Sequence, residues 1–170
     1  MRSLFARRVY FLDVRWIASV SYLESYLAIK MNDNDSQISD AIECKQVTDE
    51  AAKSLCDQIR ATAFAIHRYF GHGFREKVYE RALVHRLRKQ GLIVHVQPPV
   101  KIYDEDGTEL IEEQMDLIVE NVVVVEIKAT VETTNGDVAQ LLGYLRATNF
   151  RHGLIMNFGQ QKFYIKKYVK

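Results

Sequence analysis

Cysteine is scarce in this chain, which contains only Cys44 and Cys56 among 170 residues. The two lie twelve positions apart, with no C-x-x-C pair and no histidine at ligand spacing, which argues against a structural zinc site. Two isolated cysteines are more typical of reduced thiols than of a disulfide framework. We therefore expect a cytoplasmic protein.

Long apolar runs and a strong net charge are also absent. No segment approaches the roughly 18 uninterrupted apolar residues of a membrane span, so we expect no membrane association. The formal net charge of +1 excludes a global attraction to nucleic acid, and any such site must be a local patch. A hydrophobic content of 48% with 26% charged residues is ordinary for a globular domain.

The N-terminal region departs from this globular pattern. Basic residues followed by the short apolar segment 16–20 resemble an export or transit signal, but Asp13 interrupts the pattern and no clear cleavage site follows. A polar leader follows Met31, which is an alternative start of the protein. In either case we expect residues 1–44 to be an N-terminal extension, disordered or outside the fold, and residues 45–170 to form the domain.

Periodicity predicts the elements of this domain. Thr48 is a candidate N-cap for a helix that ends before Gly71, and a second helix ends at Gly91. Alternation then predicts strands, and a helical spacing returns once. The predicted strands are 93–96, 100–103, 110–119, 122–129, 153–158 and 163–169, with a hairpin turn at 104–107 and a helix at 138–148. This order predicts one α/β (α+β) domain in which the first four strands form a meander.

Three charged residues interrupt the most apolar part of the chain. Asp116 lies in the run before Glu120-Asn121, and Glu126 and Lys128 lie in the run after it. Such runs are typical of strands buried on both faces, where a charge must be paired, bound to metal or functional. The pattern therefore indicates that Asp116, Glu126 and Lys128 are candidate functional residues.

Strand geometry places Glu126 and Lys128 on one face of their strand. A two-residue turn would pair Asp116 with Val125 on the wrong face, whereas a three-residue turn would pair it with Glu126, and we predict the three-residue turn. Asp116, Glu126 and the carbonyl of Ile127 are then candidate ligands for Mg²⁺. Lys128 would stabilise charge on a phosphate.

Glu76, on the second helix, is a further candidate that would complete the metal shell. The alternative interpretation is that Glu126 and Lys128 form an exposed ion pair at the end of a strand. A Glu-x-Lys tripeptide alone favours that alternative, because it is common. The preceding Asp116 and the apolar context favour a site.

The segments 73–79, 140–148 and 153–159, together with Asp116 and Glu126-Ile-Lys128, resemble the GxxExxY proteins, a branch of the PD-(D/E)XK nuclease-like superfamily. The resemblance covers about residues 50–170. It implies a restriction-endonuclease-like core, a central mixed β-sheet flanked by helices, with a metal site where two strands diverge.

Position by position, the resemblance implies a role for the residues already named and adds two more. Glu76 matches the helical glutamate of the pattern, and Gln140 and Tyr144 match a Q-x-x-x-Y element beside the active site. An amide and a phenol four residues apart on a helix share a face, where they would bind a phosphate or hold Lys128. Met115 stands where the superfamily pattern has proline, and Asp137 stands where a histidine is often found.

These observations predict a Mg²⁺-dependent nuclease, with Mn²⁺ as an alternative ion, that hydrolyses phosphodiester bonds of DNA by metal-activated water. Two other hypotheses remain. The first is a catalytically silent module that keeps the fold to bind nucleic acid or a protein partner. The second is a structural protein in which the acidic residues and the lysine form only an ion-pair network.

Overall fold

The structure, a computed structural model, describes residues 42–170, and the expectations for residues 1–41, including a start at Met31, lie outside the described residues. Residues 42–170 form three helices and seven strands. The helices are α1 (Asp49–Phe70), α2 (Glu76–Lys89) and α3 (Asn135–Ala147). The strands are β1 (Val94–Val96), β2 (Pro99–Tyr103), β3 (Glu109–Gln114), β4 (Leu117–Val119), β5 (Val123–Lys128), β6 (His152–Asn157) and β7 (Tyr164–Val169).

Local sequence signals set the ends of the first two helices. The Thr48 side chain accepts a hydrogen bond from the Ala51 N–H at 3.2 Å, which confirms it as the N-cap of α1. Gly71 follows the last residue of α1 with a φ of 68°, and Gly91 follows the end of α2 with a φ of 83°. Both glycines adopt left-handed backbone that disfavours other residues, so both helix ends occur where the sequence predicts.

A five-stranded mixed sheet in the order β1-β4-β5-β6-β7 forms the centre of the domain. Only β5 and β6 are parallel, and α3 makes the crossover between them. Helices α1 and α2 cover one face of the sheet, where Ile127, Leu154 and Met156 are buried. Helix α3 covers the other face, where Val124 and Ile155 are buried. This architecture confirms the predicted fold class, a restriction-endonuclease-like core with helices on both sides.

The predicted four-stranded meander is wrong. Strand β1 pairs with β4 in the main sheet, whereas β2 and β3 pair only with each other and form a separate two-stranded hairpin. The predicted single strand 110–119 is therefore two strands, and the domain has one strand more than the sequence pattern indicated. The turn at 104–107 is a hairpin turn as predicted, with Gly107 at a φ of 86°.

The break between β3 and β4 has a local cause. The Met115 N–H donates to the Pro98 carbonyl, which ends the hairpin, and the Gln97 N–H donates to the Asp116 carbonyl. Gln97 itself has a φ of 52°, which turns the chain between β1 and β2 at the same level. The chain therefore passes from the main sheet to the hairpin between β1 and β2, and returns between β3 and β4 at the same level. This arrangement depends on pairing between distant residues, which periodicity does not reveal.

Residues before α1 also contact the domain. Ile42 and Cys44, which we assigned to the N-terminal extension, pack against the core on the α3 face. Cys44 and Cys56 are both free thiols. No helix between residues 42 and 170 is long and apolar enough to cross a membrane.

Candidate active site

The turn between β4 and β5 sets the register of the site. It has three residues, of which Glu120 and Asn121 adopt left-handed φ values of 55° and 56°. Leu117 pairs with Val125, so continuing the same register places Asp116 opposite Glu126. The predicted three-residue turn is confirmed. Asp116 and Glu126 therefore come together where β4 begins and β5 ends.

Strand β4 begins at Leu117, so it offers no backbone partner to Ile127 near the end of β5, and the Asp116 carboxylate takes that place. Its Oδ2 accepts a hydrogen bond from the Ile127 N–H at 2.7 Å, a bond that a backbone carbonyl of β4 would accept if the strand continued. Asp116 is half-buried, and its own carbonyl is bound by Gln97. The backbone of Asp116 is thus held by Gln97, and one oxygen of its carboxylate is held by β5.

Glu126 is almost fully buried, with 2% of its surface exposed. One carboxylate oxygen, Oε2, accepts a hydrogen bond from the Lys128 ammonium at 3.3 Å. The other, Oε1, is buried and accepts no hydrogen bond from any described residue. A buried carboxylate oxygen without a partner is unfavourable, because it has lost its hydration without replacement.

The electrostatics of the cluster reflect this burial. The pKa of Glu126 is raised to about 7, mainly by burial and also by the neighbouring charge of Asp116, which together outweigh the opposing effect of Lys128. Burial also raises the pKa of Asp116, although the hydrogen bond from the Ile127 N–H lowers it in part. Two carboxyl groups that resist ionisation side by side are stabilised as anions by a bound cation.

Lys128 is the cation that the protein itself supplies. Its side chain is 17% exposed. Burial acts to lower the pKa of Lys128, but the charges of Glu126 and Asp116 outweigh it, so the pKa lies above its ordinary value. The ionised carboxylates therefore favour the positive charge of Lys128.

Gln140 contacts Lys128 from α3 and is itself bound by Tyr144, in keeping with one of the two roles that the resemblance implies, holding Lys128. The Lys128 ammonium donates to the Gln140 amide oxygen at 3.3 Å, and the Gln140 amide nitrogen donates to the Tyr144 hydroxyl at 2.9 Å. The hydroxyl in turn lies 3.4 Å from the carbonyl of Gln114. The Tyr144 ring is buried, and burial raises the pKa of its hydroxyl to about 12, so it stays protonated. This chain of hydrogen bonds orients the ammonium toward the carboxylates.

Glu76 approaches the site from the other layer of the domain. It is the first residue of α2, and burial raises the pKa of its carboxyl, with a further rise from the charge of Asp116. The loop before it is fixed by Tyr79, whose hydroxyl donates to the Gly71 carbonyl at 3.0 Å and accepts from the Phe74 N–H at 3.2 Å. The spacing of Glu76 and Tyr79 therefore has a physical role, because the tyrosine positions the turn that carries the glutamate.

The three carboxylates do not form one cluster of ligands. Between residues 42 and 170 there is no group of three or more histidine, cysteine, aspartate or glutamate side chains arranged to hold a metal ion. The carboxylate pair of Asp116 and Glu126 stands without Glu76 as a third direct ligand. Glu76 instead contributes negative charge at short range.

Two further charged residues lie near the site, although the sequence pattern assigned no role there to either. Glu80, one turn after Glu76, is buried on α2 rather than lying on a solvated face, and it pairs with Lys77 at 2.7 Å. Asp137 lies 4.0 Å from the Lys128 ammonium and also closes the capping box of α3 with Thr134. The four-residue spacing from Glu76 was the available signal for Glu80, and the Thr-x-x-Asp pattern was the signal for Asp137.

The loop behind Lys128 is held by Asn157, at the end of β6. Its buried side chain accepts hydrogen bonds from the N–H groups of Thr130 and Gly159 and donates to the hydroxyls of Thr130 and Thr133. A Cβ at Gly159 would lie 2.4 Å from the Thr130 carbonyl oxygen, so no other residue fits there without moving the loop. These contacts set the path of the chain from Lys128 to α3. They give a structural role to Asn157 and Gly159, which lie in the segment 153–159 that resembles the GxxExxY proteins.

Comparison with known proteins agrees with this geometry. The model of the PD-(D/E)XK nuclease superfamily matches residues 53–168, and the chain belongs to that superfamily. No curated protein matches the chain. A solved structure described as "Crystal structure of SSO0001" is similar over 87% of this chain and 77% of that chain, with 12% identity and a TM-score of 0.44. The family match alone therefore carries the assignment.

The residues present fit a divalent cation, which members of this superfamily generally use. Asp116 and Glu126 offer two carboxylates, the hard oxygen ligands that Mg²⁺ prefers, and Mg²⁺ usually takes only one or two carboxylates. The unpartnered Oε1 of Glu126 is the specific feature that favours a ligand role.

Proposed function

We propose that this protein is a Mg²⁺-dependent nuclease that hydrolyses phosphodiester bonds of DNA, with Mn²⁺ as an alternative ion. The observation that carries the proposal is the juxtaposition of Asp116 with Glu126, whose Oε1 is buried without a hydrogen-bond partner. Membership of the nuclease superfamily supports a nucleic-acid substrate. The motif residues Gly73, Glu76 and Tyr79 further support a place in its GxxExxY branch.

Asp116, Glu126 and the Ile127 carbonyl would hold the ion. When bound there, a divalent cation supplies polarisation of the phosphate and a lowered pKa of its coordinated water. Metal ligands must be deprotonated, so the raised pKa of Glu126 makes ion binding compete with protons near pH 7.

Lys128 would stabilise negative charge that develops on the phosphate during hydrolysis. Its ammonium is already held by Glu126 and Gln140, so little reorganisation is needed during the reaction. Gln140 would position Lys128, and Tyr144 would position Gln140. Glu76 would strengthen cation binding through its charge rather than as a third ligand.

Cleavage of labelled DNA in the presence of Mg²⁺ tests the proposal. Wild-type protein is expected to cleave, and Asp116→Asn and Lys128→Met are expected to lose at least about 100-fold in rate. Glu50→Gln, an exposed change in the first turn of α1, is the matched control and should cleave at the wild-type rate. RNA of the same sequence, assayed in parallel, decides whether DNA is the preferred substrate.

An absence of cleavage by wild-type protein on both nucleic acids with either ion, together with nucleic-acid binding that needs no metal, would contradict the nuclease proposal. It would favour the catalytically silent module instead.

A further inference from the structure

An open cleft of about 750 Å³ lies between the β2–β3 hairpin and α3, outside the carboxylate cluster. The hairpin contributes Ile102, Tyr103 and Glu113, and the helix contributes Gln140, Gly143, Tyr144, Arg146 and Ala147. Gln140 and Tyr144 belong both to this lining and to the hydrogen-bonded chain that reaches Lys128. The cleft is therefore continuous with the candidate active site.

The chemistry of the lining differs between the two walls. Arg146 is exposed on the helix wall and forms no ion pair with any residue that the structure describes. Tyr103, on the hairpin wall, is 53% exposed, although it is a large aromatic residue. A free guanidinium binds phosphate, and an exposed aromatic ring stacks on a nucleobase.

The hairpin that forms one wall of the cleft has an acidic composition. Residues 99–114 carry six acidic side chains and one basic one, and of the acidic ones only Glu113 lines the cleft. Duplex DNA carries about one negative charge per 1.7 Å of its axis, so the hairpin is an unfavourable surface for a duplex that lies along it. A single nucleotide, in contrast, can place its phosphate at Arg146 and its base near Glu113, since a carboxylate accepts hydrogen bonds from base amino groups.

The size of the cleft also favours a single nucleotide over a duplex. Pockets of roughly 300–1,000 Å³ accommodate compact ligands of the size of a nucleotide, whereas a duplex is far wider than such a space. The helix wall is also open at Gly143, where an added Cβ would have only the Arg146 side chain nearby, at 4.0 Å.

We infer that this cleft binds an unpaired nucleotide of the substrate strand, so that the protein acts on single-stranded nucleic acid or on a single-stranded segment. Tyr103 stacks on the base, Arg146 binds the adjoining phosphate, and Gln140 and Tyr144 lie between the nucleotide and Lys128. The inference rests on the proposed nuclease function, because it specifies the substrate of the same site.

Gly143 provides the test. Gly143→Trp places a large side chain in the cleft, whereas Gly143→Ala adds one methyl group, leaves the cleft open and favours the helix. Affinity for a fluorescent 12-nucleotide single strand and for a blunt duplex of the same sequence is measured by anisotropy without divalent metal, so that no cleavage occurs.

We expect wild-type protein to bind the single strand at least about tenfold more tightly than the duplex. Gly143→Trp should lose at least about tenfold in single-strand affinity, while Gly143→Ala stays within about twofold. Arg146→Gln should weaken binding and reduce its salt dependence. Tyr103→Ala should weaken single-strand binding about tenfold, and Tyr103→Phe should not.

Duplex binding equal to or tighter than single-strand binding would overturn the inference, as would single-strand affinity that Gly143→Trp leaves unchanged. A cleavage assay separates this failure from that of the nuclease proposal. If wild type and Gly143→Trp cleave a blunt duplex equally well, the cleft inference fails and the nuclease stands. If nothing is cleaved but Gly143→Trp loses single-strand binding while Gly143→Ala keeps it, the nuclease proposal fails and the cleft stands.

Discussion

Two buried glutamates, each beside a lysine, lie on different elements of the domain, one on a helix and one on a strand. Glu80 on α2 is 5% exposed, and both of its oxygens contact the Lys77 ammonium, Oε1 at 2.7 Å and Oε2 at 3.0 Å. Glu126 on β5 is 2% exposed, but only Oε2 reaches its lysine, at 3.3 Å, and Oε1 has no partner among the described residues. The same pair of residue types is thus satisfied in one place and incompletely satisfied in the other.

The surroundings explain the difference. Lys77 is 46% exposed and free to fold onto Glu80 within one helical turn, an arrangement typical of a structural pair. The Lys128 ammonium is shared between Glu126 and Gln140, and Asp116 brings a second carboxylate next to Glu126. Burial of an unsatisfied charge lowers stability, so its presence indicates a role other than stability.

Exchange of each glutamate for glutamine gives the largest contrast between the two pairs. Glu126→Gln should reduce DNA cleavage by at least about 100-fold, because it removes a charged ligand. Glu80→Gln should leave cleavage near the wild-type rate but lower the free energy of unfolding by about 1–3 kcal/mol, since Lys77 loses its charged partner. Cleavage rates and urea denaturation of both variants provide the check. Equal loss of activity in both variants would contradict the view that Glu126 is functional and Glu80 structural.

The second largest effect is expected in how the stability of the Glu126–Lys128 pair depends on pH. The folded-state pKa of Glu126 is about 7, above its ordinary 4.5, so its contribution is fully present below about pH 4.5 and is lost as pH rises through 7. A shift of this size corresponds to about 3 kcal/mol. Urea denaturation without divalent metal from pH 5 to pH 9 should show wild type losing stability relative to Glu126→Gln. Parallel curves for the two proteins would contradict the prediction.

Mg²⁺ should stabilise the protein through Glu126 and not through Glu80. At pH 8 and a Mg²⁺ concentration about 100 times the dissociation constant, the free energy of unfolding of wild type should rise by about 2.7 kcal/mol. Glu80→Gln should show the same rise and Glu126→Gln none. Denaturation with and without Mg²⁺ measures all three. A Mg²⁺ effect retained in Glu126→Gln would place the ion elsewhere.

The smallest effect is expected at Gln140, whose amide oxygen accepts a hydrogen bond from the Lys128 ammonium. Gln140→Ala should reduce the cleavage rate about tenfold, the usual size for a residue that orients a functional side chain. Stability should change little, because Gln140 is exposed. Tyr144→Phe, which removes only the hydroxyl that Gln140 contacts, should show a weaker effect in the same direction. A Gln140→Ala rate within twofold of wild type would mean that Lys128 needs no support.

Much of the site could be predicted because it depends on local rules. Alternation along β5 places Glu126 and Lys128 on one face, and the choice of a three-residue turn aligns Asp116 with Glu126. The four-residue spacing of Gln140 and Tyr144 on α3 likewise predicts their contact. Each of these inferences spans only a few residues or one turn.

The parts that the sequence did not predict depend on contacts between distant segments. The break between β3 and β4 arises because Pro98 and Gln97 bind Met115 and Asp116, about 18 positions away along the chain. The burial of Glu80 depends on how α2 packs on the sheet, which the sequence of the helix does not reveal. The cleft beside Gly143 exists because the hairpin leaves the main sheet, which the predicted meander did not allow.

A crystal structure of the wild-type protein soaked with Mn²⁺, with anomalous data, tests most directly whether the two carboxylates form a cation site. The account predicts an anomalous peak within coordination distance of Glu126 Oε1 and the Asp116 carboxylate, and no peak at Glu80. A fully occupied peak at another position, or no peak at Glu126 under Mn²⁺ concentrations that support cleavage, would contradict it.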